Sequence, residues 1–178
     1  LYSTALYICT LWTFVLNAII NSANPLIFEA KEKSEHLYRK RITQLYASII
    51  WISFSIAIIF CIFARPIILI LYGKEYLGAT IPLRIISWYT AFSFLGSARN
   101  SWLICESKVK YEKYFAGIGA FSNFILNILM IPAFGINGAA FATLLTQIIT
   151  NFIVPYIIKD TRQNSKLIID AFLFRNIN

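Results

Sequence analysis

The residues that could do chemistry in this sequence are one arginine and several amide side chains set in otherwise apolar stretches. Arg99 is the single charge between Arg84 and Glu106, and asparagine, threonine, serine and glutamine recur at three- and four-residue steps in four apolar stretches. Residues at that spacing share one face of a helix. Such faces bind ligands through hydrogen bonds and one positive charge. The residues predicted to bind a substrate are Arg99, Asn17, Asn21, Asn100, Asn123, Asn127 and Gln147.

Two interpretations of these polar faces stay open at this stage. Polar side chains in membrane helices often hydrogen-bond across packed helices and only hold them together. Faces on four helices favour a shared hydrated cavity. Arg99, about 22 Å along a helix that starts at Arg84, either extends its side chain to the lipid headgroups or faces that cavity as a cation.

Catalytic and metal-binding patterns are not visible in the sequence. It has no glycine-rich phosphate loop and no metal-ligand cluster, and its eight acidic residues lie between the apolar stretches or in the tail. His36 stands apart from any cysteine or carboxylate group. An enzyme is therefore not expected, and neither a cofactor nor a metal is predicted.

Composition indicates an integral membrane protein. Of the 178 residues 58% are hydrophobic and 13% charged, with a mean hydropathy of +0.67, whereas soluble domains are about 45–50% apolar. The net charge of +8 lies in short clusters between apolar runs, which is typical of membrane topology and argues against nucleic-acid binding. The three cysteines have no paired spacing and are expected to be free thiols.

The apolar runs predict an all-α polytopic membrane helix bundle of five transmembrane helices. Proline is expected to end or kink the first helix at Pro25, and Arg65-Pro66 to end the second. The residues after Pro66 are expected to form a short interfacial turn of helix. The predicted spans are 3–28, 42–64, 82–104, 114–132 and 136–158, followed by a tail over 161–178 that is amphipathic or frayed.

A tight turn is predicted between the last two spans. The uncharged run from Lys113 to Lys159 is too long for one crossing of a hydrocarbon core of about 30 Å. Pro132 and Gly135 mark the break, since proline disfavours helix before it and glycine permits positive φ. Gly138 and its small neighbours would let the two helices approach closely.

Charge asymmetry predicts the orientation. Connectors 29–41, 106–113 and 159–178 hold 12 Lys and Arg residues, against 3 in 65–84 and 132–137. Because basic connectors stay on the cytoplasmic side, the chain should start outside and end with a cytoplasmic tail.

Four segments, in order, resemble the polysaccharide transporter family. The segment from Asn127 to Thr143, NILMIPAFGINGAAFAT, is similar to that family's signature around an Ile-Pro turn and a Gly-Ala-Ala step. Further matches are Tyr2 to Ala5 (YSTA), Trp12 to Pro25, and Leu71 to Tyr76 (LYGKEY). These are the O-antigen flippases of the multidrug/oligosaccharidyl-lipid/polysaccharide exporter superfamily, and the resemblance covers roughly residues 1–160.

The resemblance implies a fold and a function. The family has a MATE-like bundle of about twelve helices in two lobes, of which this chain would be the C-terminal portion, the last five. The implied function is alternating-access flipping of undecaprenyl-pyrophosphate-linked repeat units across the bacterial inner membrane. The implied partners are the lipid-linked oligosaccharide, membrane lipids, the N-terminal half of the same protein, and a polysaccharide polymerase and chain-length regulator. The alternatives are a drug/cation antiporter, a peptidoglycan-precursor flippase, a membrane glycan polymerase and a structural subunit.

Overall fold

The computed structural model describes residues 1–175, which are mostly helical and contain no strand. Short 3-10 helices at Lys74–Ala79 and Val109–Tyr111 precede α4 and α5, and a π-helical segment, Ile149–Ile153, follows α5. The α-helices are α1 (Tyr2–Thr10), α2 (Thr13–Lys33), α3 (Glu35–Tyr72), α4 (Thr80–Cys105), α5 (Glu112–Ile148), α6 (Val154–Ile157) and α7 (Arg162–Phe172).

Long apolar helices support a membrane location. Among the described residues, Glu35–Tyr72 and the stretch Val109–Ile157 are long and apolar enough to cross a membrane. The pair α1 and α2, bent by 41° at their junction, would add a third crossing if it acts as one span. Large side chains such as Ile62, Ile70 and Phe121 are more than half exposed, which suits lipid contact better than water.

The Val109–Ile157 stretch folds back on itself as a helical hairpin. Gly135 has φ 56° and ψ −131°, a left-handed backbone that glycine adopts without strain. The two arms then run antiparallel: Asn123 Nδ2 donates to Thr146 Oγ1 at 3.2 Å. The chain thus turns at Gly135, the glycine of the predicted break, whereas Pro132 lies inside the helical part of the first arm. Gly138 lies where an added Cβ would be 2.1 Å from the Met130 carbonyl oxygen, so this glycine permits the close contact of the arms.

The predicted helix end at Pro66 is wrong, and of the two outcomes expected at Pro25, a helix end or a kink, the helix end does not occur. Helix α2 continues through Pro25 to Lys33, and α3 continues through Pro66 to Tyr72, so no separate interfacial turn follows Pro66. Residues on both sides of each proline are buried, for example Ala64 and Ile68 around Pro66. This packing holds the helix although proline removes one backbone hydrogen bond.

The break in the first predicted span lies elsewhere, at Leu11-Trp12 between α1 and α2. The predicted connector over 29–41 is also helical except at Ser34, whose side-chain oxygen caps α3 by accepting from the Leu37 N–H at 3.1 Å. The polar composition of this connector therefore marks helix ends rather than a loop.

The predicted tail contains a packed amphipathic helix, α7. Its apolar face is buried, and Tyr46 of α3 donates a hydrogen bond to Asn164. Further along both helices, Trp51 stacks on Phe172 with ring centres 5.8 Å apart. Contacts that advance together along α3 and α7 show that the two helices run parallel. The last three residues of the tail, 176–178, lie outside the described part of the chain.

A candidate ligand-binding cleft

Polar residues of α4 and of both hairpin arms meet in one cleft. It consists of two adjoining cavities of about 360 and 390 Å³ that share four lining residues, among them Phe115 and Thr150. We call this space the polar cleft. Its polar lining residues are Ser93, Ser97, Arg99, Asn100, Glu112, Asn123, Thr143, Thr146, Gln147, Thr150 and Asn151.

Arg99 lies inside the protein at one end of the polar cleft. Its side chain is 2% exposed, and Nη1 donates to Asn151 Oδ1 at 3.1 Å and to the Thr150 carbonyl oxygen at 3.2 Å. The guanidinium carbon lies 4.1 Å from the centre of the Phe115 ring, a cation–π distance. Of the two interpretations of Arg99, this geometry favours the one that faces a cavity.

The carbonyl that accepts from Arg99 is free because of a local defect in the helix. In the π-helical segment the Val154 N–H donates to the Ile149 carbonyl, five residues back. The next residue, Pro155, has no N–H with which to continue that pattern to Thr150. Since an unpaired backbone carbonyl is costly in a membrane protein, the donor from Arg99 satisfies it. π-helical turns of this kind are frequent at functional sites.

Asn151 connects Arg99 to the rest of the cleft. Its Oδ1 accepts from Arg99, and its Nδ2 donates to the Phe92 carbonyl at 3.1 Å and to Gln147 Oε1 at 2.6 Å. The side chain lies directly over Gly96, where an added Cβ would be 2.4 Å from Oδ1. Gly96 therefore provides the space in which Asn151 binds.

The far half of the cleft is lined by amides and hydroxyls. Asn123 bonds to Thr146 across the hairpin, and Asn127 Nδ2 donates back to Asn123 Oδ1 and to its carbonyl, both at 2.9 Å. Asn123 lines the cleft, whereas Asn127 lies one turn further along α5 and orients it.

The predicted residues Asn17 and Asn21 are not brought into the polar cleft. Both are exposed on α2 and line neither of its two cavities. Of their helix, Asn24 reaches α4, where its Oδ1 accepts from Ser101 Oγ at 2.5 Å. Five of the seven predicted residues thus lie in or beside the cleft: Arg99, Asn100, Asn123, Asn127 and Gln147.

Two polar groups of the cleft wall lack a partner among the described residues. Arg99 Nε and Thr150 Oγ1 are buried without a hydrogen bond. Buried polar groups without partners are rare in proteins, because losing water without a replacement bond costs about 1–3 kcal/mol. These atoms are therefore candidates to bind a ligand. No group of three or more His, Cys, Asp or Glu that could hold a metal occurs in residues 1–175.

Comparison with known proteins gives one informative relative. No family model matches the chain, and no solved structure matches it. An uncharacterized membrane protein of Methanocaldococcus jannaschii is 31% identical over 136 residues, which are 76% of this chain and 26% of the relative. The chain is a membrane protein. It spans about a quarter of the length of the relative it matches.

Glu112 and Asn151 are not among the residues predicted to bind a substrate, although Asn151 belongs to the polar face that the sequence places on the last span. The Glu112 carboxylate lies 3.6 Å from Arg99 Nη2, although its position in a charged connector suggested only solvent exposure. The sequence does contain one indication of this pair. Arg99 lies less than two turns before the end of α4, and Glu112 is the first residue of α5. Where two consecutive helices pack side by side, a long arginine side chain can reach from one helix to the start of the next.

A second charged cluster joins the helix ends near the same connector. Lys31 Nζ lies 2.7 Å from Glu106 Oε1 and 3.0 Å from Glu35 Oε2. Partial burial alone would lower the pKa of Lys31, but hydrogen bonds to the two carboxylates hold that pKa above its usual value. The cluster links α2, α3 and the residue that follows α4.

Proposed function

We propose that this chain forms part of a transporter that flips a lipid-linked oligosaccharide across the cytoplasmic membrane by alternating access. The observation that carries the proposal is the buried guanidinium of Arg99 at the end of a cleft lined by amides and hydroxyls. A lipid-linked oligosaccharide combines a charged phosphoryl linkage with many sugar hydroxyls. Guanidinium binds phosphoryl oxygens, and amide side chains bind hydroxyls.

The architecture proposed with this function is a MATE-like lobe of five transmembrane helices. Helix α4 and the two hairpin arms would each cross the membrane, beside α3 and the bent pair α1 and α2. Each hairpin arm is about 33 Å long at 1.5 Å per residue, close to the hydrocarbon thickness. The cleft would then open between membrane helices, where transporters bind their substrates.

The resemblance of the segment from Asn127 to Thr143 to polysaccharide transporters supports the same proposal. Its proline and glycines build the turn and the close contact of the hairpin that forms two walls of the cleft. Together with this function we propose that the protein lies in a bacterial inner membrane, that its tail is cytoplasmic, and that an N-terminal half of the same protein closes the cleft. A polysaccharide polymerase and a chain-length regulator would act on the product.

One observation favours a second candidate, a drug/cation antiporter. Such a transporter needs an acidic residue in its cavity, and Glu112 lines the polar cleft. This carboxylate faces Arg99, however, and the nearby guanidinium compensates the charge that would attract a cation. The flippase proposal therefore fits the electrostatics of the cleft better.

Complementation tests the proposal. The full-length protein is expressed in a strain whose own flippase gene is deleted, and surface polysaccharide is resolved on a gel. We expect wild type to restore the polysaccharide, Arg99→Ala to abolish it, and Arg99→Lys to restore it weakly, because lysine cannot replace a planar guanidinium. Arg84→Ala is the matched control, since Arg84 is exposed at the opposite end of α4.

Membrane levels of each variant are measured by immunoblot so that loss of protein is not taken for loss of flipping. Wild type that restores no polysaccharide with any donor glycan would refute the proposal. The antiporter is tested in the same strain by ethidium accumulation. Lower accumulation with wild type, reversed by Glu112→Gln, would put the antiporter first.

A further inference from the structure

The two members of the ion pair in the polar cleft differ in their exposure to solvent. Arg99 is 2% exposed, whereas the Glu112 side chain is 48% exposed. Their closest atoms are 3.6 Å apart, beyond the range of a hydrogen bond. Glu112 therefore compensates the buried charge from a distance, and its own carboxylate can turn into solvent at little cost.

The N–H groups of the Arg99 guanidinium also differ in their hydrogen bonding. Nη1 has two, and they go to Asn151 and to the Thr150 carbonyl. Among the described residues Nε has no hydrogen-bond partner, and Nη2 lies 3.6 Å from the Glu112 carboxylate. Nε and Nη2 form one edge of the guanidinium, whose parallel N–H groups match two oxygens of a phosphoryl or carboxylate group. The protein thus bonds Arg99 through Nη1 and leaves the buried Nε without a hydrogen bond to any described residue.

Other polar groups that line the cleft suit an oxygen-rich ligand. Thr150 Oγ1 is buried without a partner among the described residues, and Ser97, Asn100 and Thr150 line the same cavity of about 360 Å³ as Arg99. A phosphoryl group bound at Arg99 could therefore extend into hydroxyl and amide contacts further along the cleft.

From this geometry we infer that Glu112 is an exchangeable counter-ion of Arg99. A phosphoryl or carboxylate group of the ligand takes its place on the Nε–Nη2 edge, and the Glu112 carboxylate turns to solvent. The Arg99–Glu112 pair is neutral, and ligand binding replaces one anion by another without leaving a buried charge unpaired. The inference rests on the proposed function, because it assigns the anionic group of the transported ligand to this edge.

Anion binding by the purified full-length protein in lipid nanodiscs tests the inference. Inorganic pyrophosphate and glucuronate are titrated separately by calorimetry, so that phosphoryl and sugar-carboxylate recognition are distinguished. Glu112→Gln removes the competing anion and should raise the affinity roughly two- to five-fold, the range typical of a partly exposed ion pair. Glu112→Asp retracts the carboxylate and should give a smaller increase. Arg99→Lys should lower the affinity at least ten-fold, since a bidentate edge is lost.

Glu75→Gln is the matched control, because it removes an exposed carboxylate in the short helix before α4, away from Arg99. It should leave the affinity unchanged. Thermal unfolding followed by tryptophan fluorescence verifies that each variant is folded.

Saturable binding of either anion that tightens in Glu112→Gln and weakens in Arg99→Lys supports the inference. Binding of neither anion by wild type and Glu112→Gln overturns it, and so does equal affinity of these two proteins. The outcome is separable from complementation. Restored surface polysaccharide without the change in anion affinity would support the flippase proposal and refute the counter-ion exchange. The change in anion affinity without restored polysaccharide would support the counter-ion exchange and refute the flippase proposal.

Discussion

Replacing Gly96 with alanine should disconnect Arg99 from its anchor. The new Cβ would lie 2.4 Å from Asn151 Oδ1 and 2.9 Å from its Cγ, so the amide must move by about 1 Å to regain ordinary contact. Asn151 cannot move that far and keep its bonds to Arg99, to the Phe92 carbonyl and to Gln147.

The expected cost follows from those bonds. A hydrogen bond to a charged group contributes about 1.5–3 kcal/mol and a neutral one about 0.5–1.5 kcal/mol. Alanine in place of glycine in a helix stabilises the folded state by about 0.4–1 kcal/mol, because it reduces the conformational entropy of the unfolded chain. Losing the bond to Arg99 and one neutral bond would cost about 2–4.5 kcal/mol, so, less the gain from alanine, we expect Gly96→Ala to lower the free energy of unfolding by about 1–4 kcal/mol. For a chain of this size each kcal/mol corresponds to about 2–4 °C in Tm.

Gly117→Ala provides the matched control on the first hairpin arm. Gly117 is exposed, and an added Cβ there meets nothing within 4 Å, so this variant should be as stable as wild type or slightly more. Apparent Tm is measured in detergent from the fluorescence of the buried Trp12 and Trp102. If Gly96→Ala melts no lower than Gly117→Ala, Asn151 is not held as described, and the argument for the Arg99 site fails.

Two further changes test the scaffold. Gly138→Ala would bring a Cβ to 2.1 Å from the Met130 carbonyl oxygen. Because the backbone itself must move, we expect the apparent Tm to fall at least as much as in Gly96→Ala. A Tm equal to that of wild type would contradict the close contact of the hairpin arms. Hydrogen bonds from Arg39 and Lys31 lower the pKa of Glu35 in the folded protein. Glu35 therefore contributes to the free energy of unfolding above its pKa in the unfolded chain, near 4.3, and this contribution disappears as the pH falls through the pKa of the folded state. Glu35→Gln should therefore flatten the fall of Tm between about pH 5 and 3, by less than about 1 kcal/mol because the pair is half exposed, and parallel curves for variant and wild type would refute this.

The helical hairpin was predictable because its signals are local. Proline at 132 and glycine at 135 interrupt an uncharged run too long for one crossing, and lipid leaves a backbone no alternative to helix on either side. The four-residue spacing of Asn123 and Asn127 likewise fixes a shared face. These features depend only on chain geometry, so the structure reproduces them.

The helix end predicted at Pro66 was wrong, and the helix does not end at Pro25, where an end or a kink was expected, because tertiary packing decides where these helices end. A proline costs about 3 kcal/mol within a helix, and the buried residues on both sides of Pro66 compensate for that cost. The actual break at Leu11-Trp12 has neither proline nor glycine, so no local pattern indicates it. Asn17 and Asn21 share a polar face, but the bend and the position of α2 leave that face away from the cleft.

The site around Arg99 depends on residues that have no polar side chain of their own. Gly96 makes room for Asn151, and the missing N–H of Pro155 frees the carbonyl of Thr150. Both features act on one nitrogen of the guanidinium, Nη1, and Nε on the opposite edge has no hydrogen bond to any described residue. A purely structural arginine would be expected to use that edge as well, because burying a guanidinium with unpaired donors is costly. The unequal use of Arg99 therefore argues for a ligand at the edge that the protein leaves free.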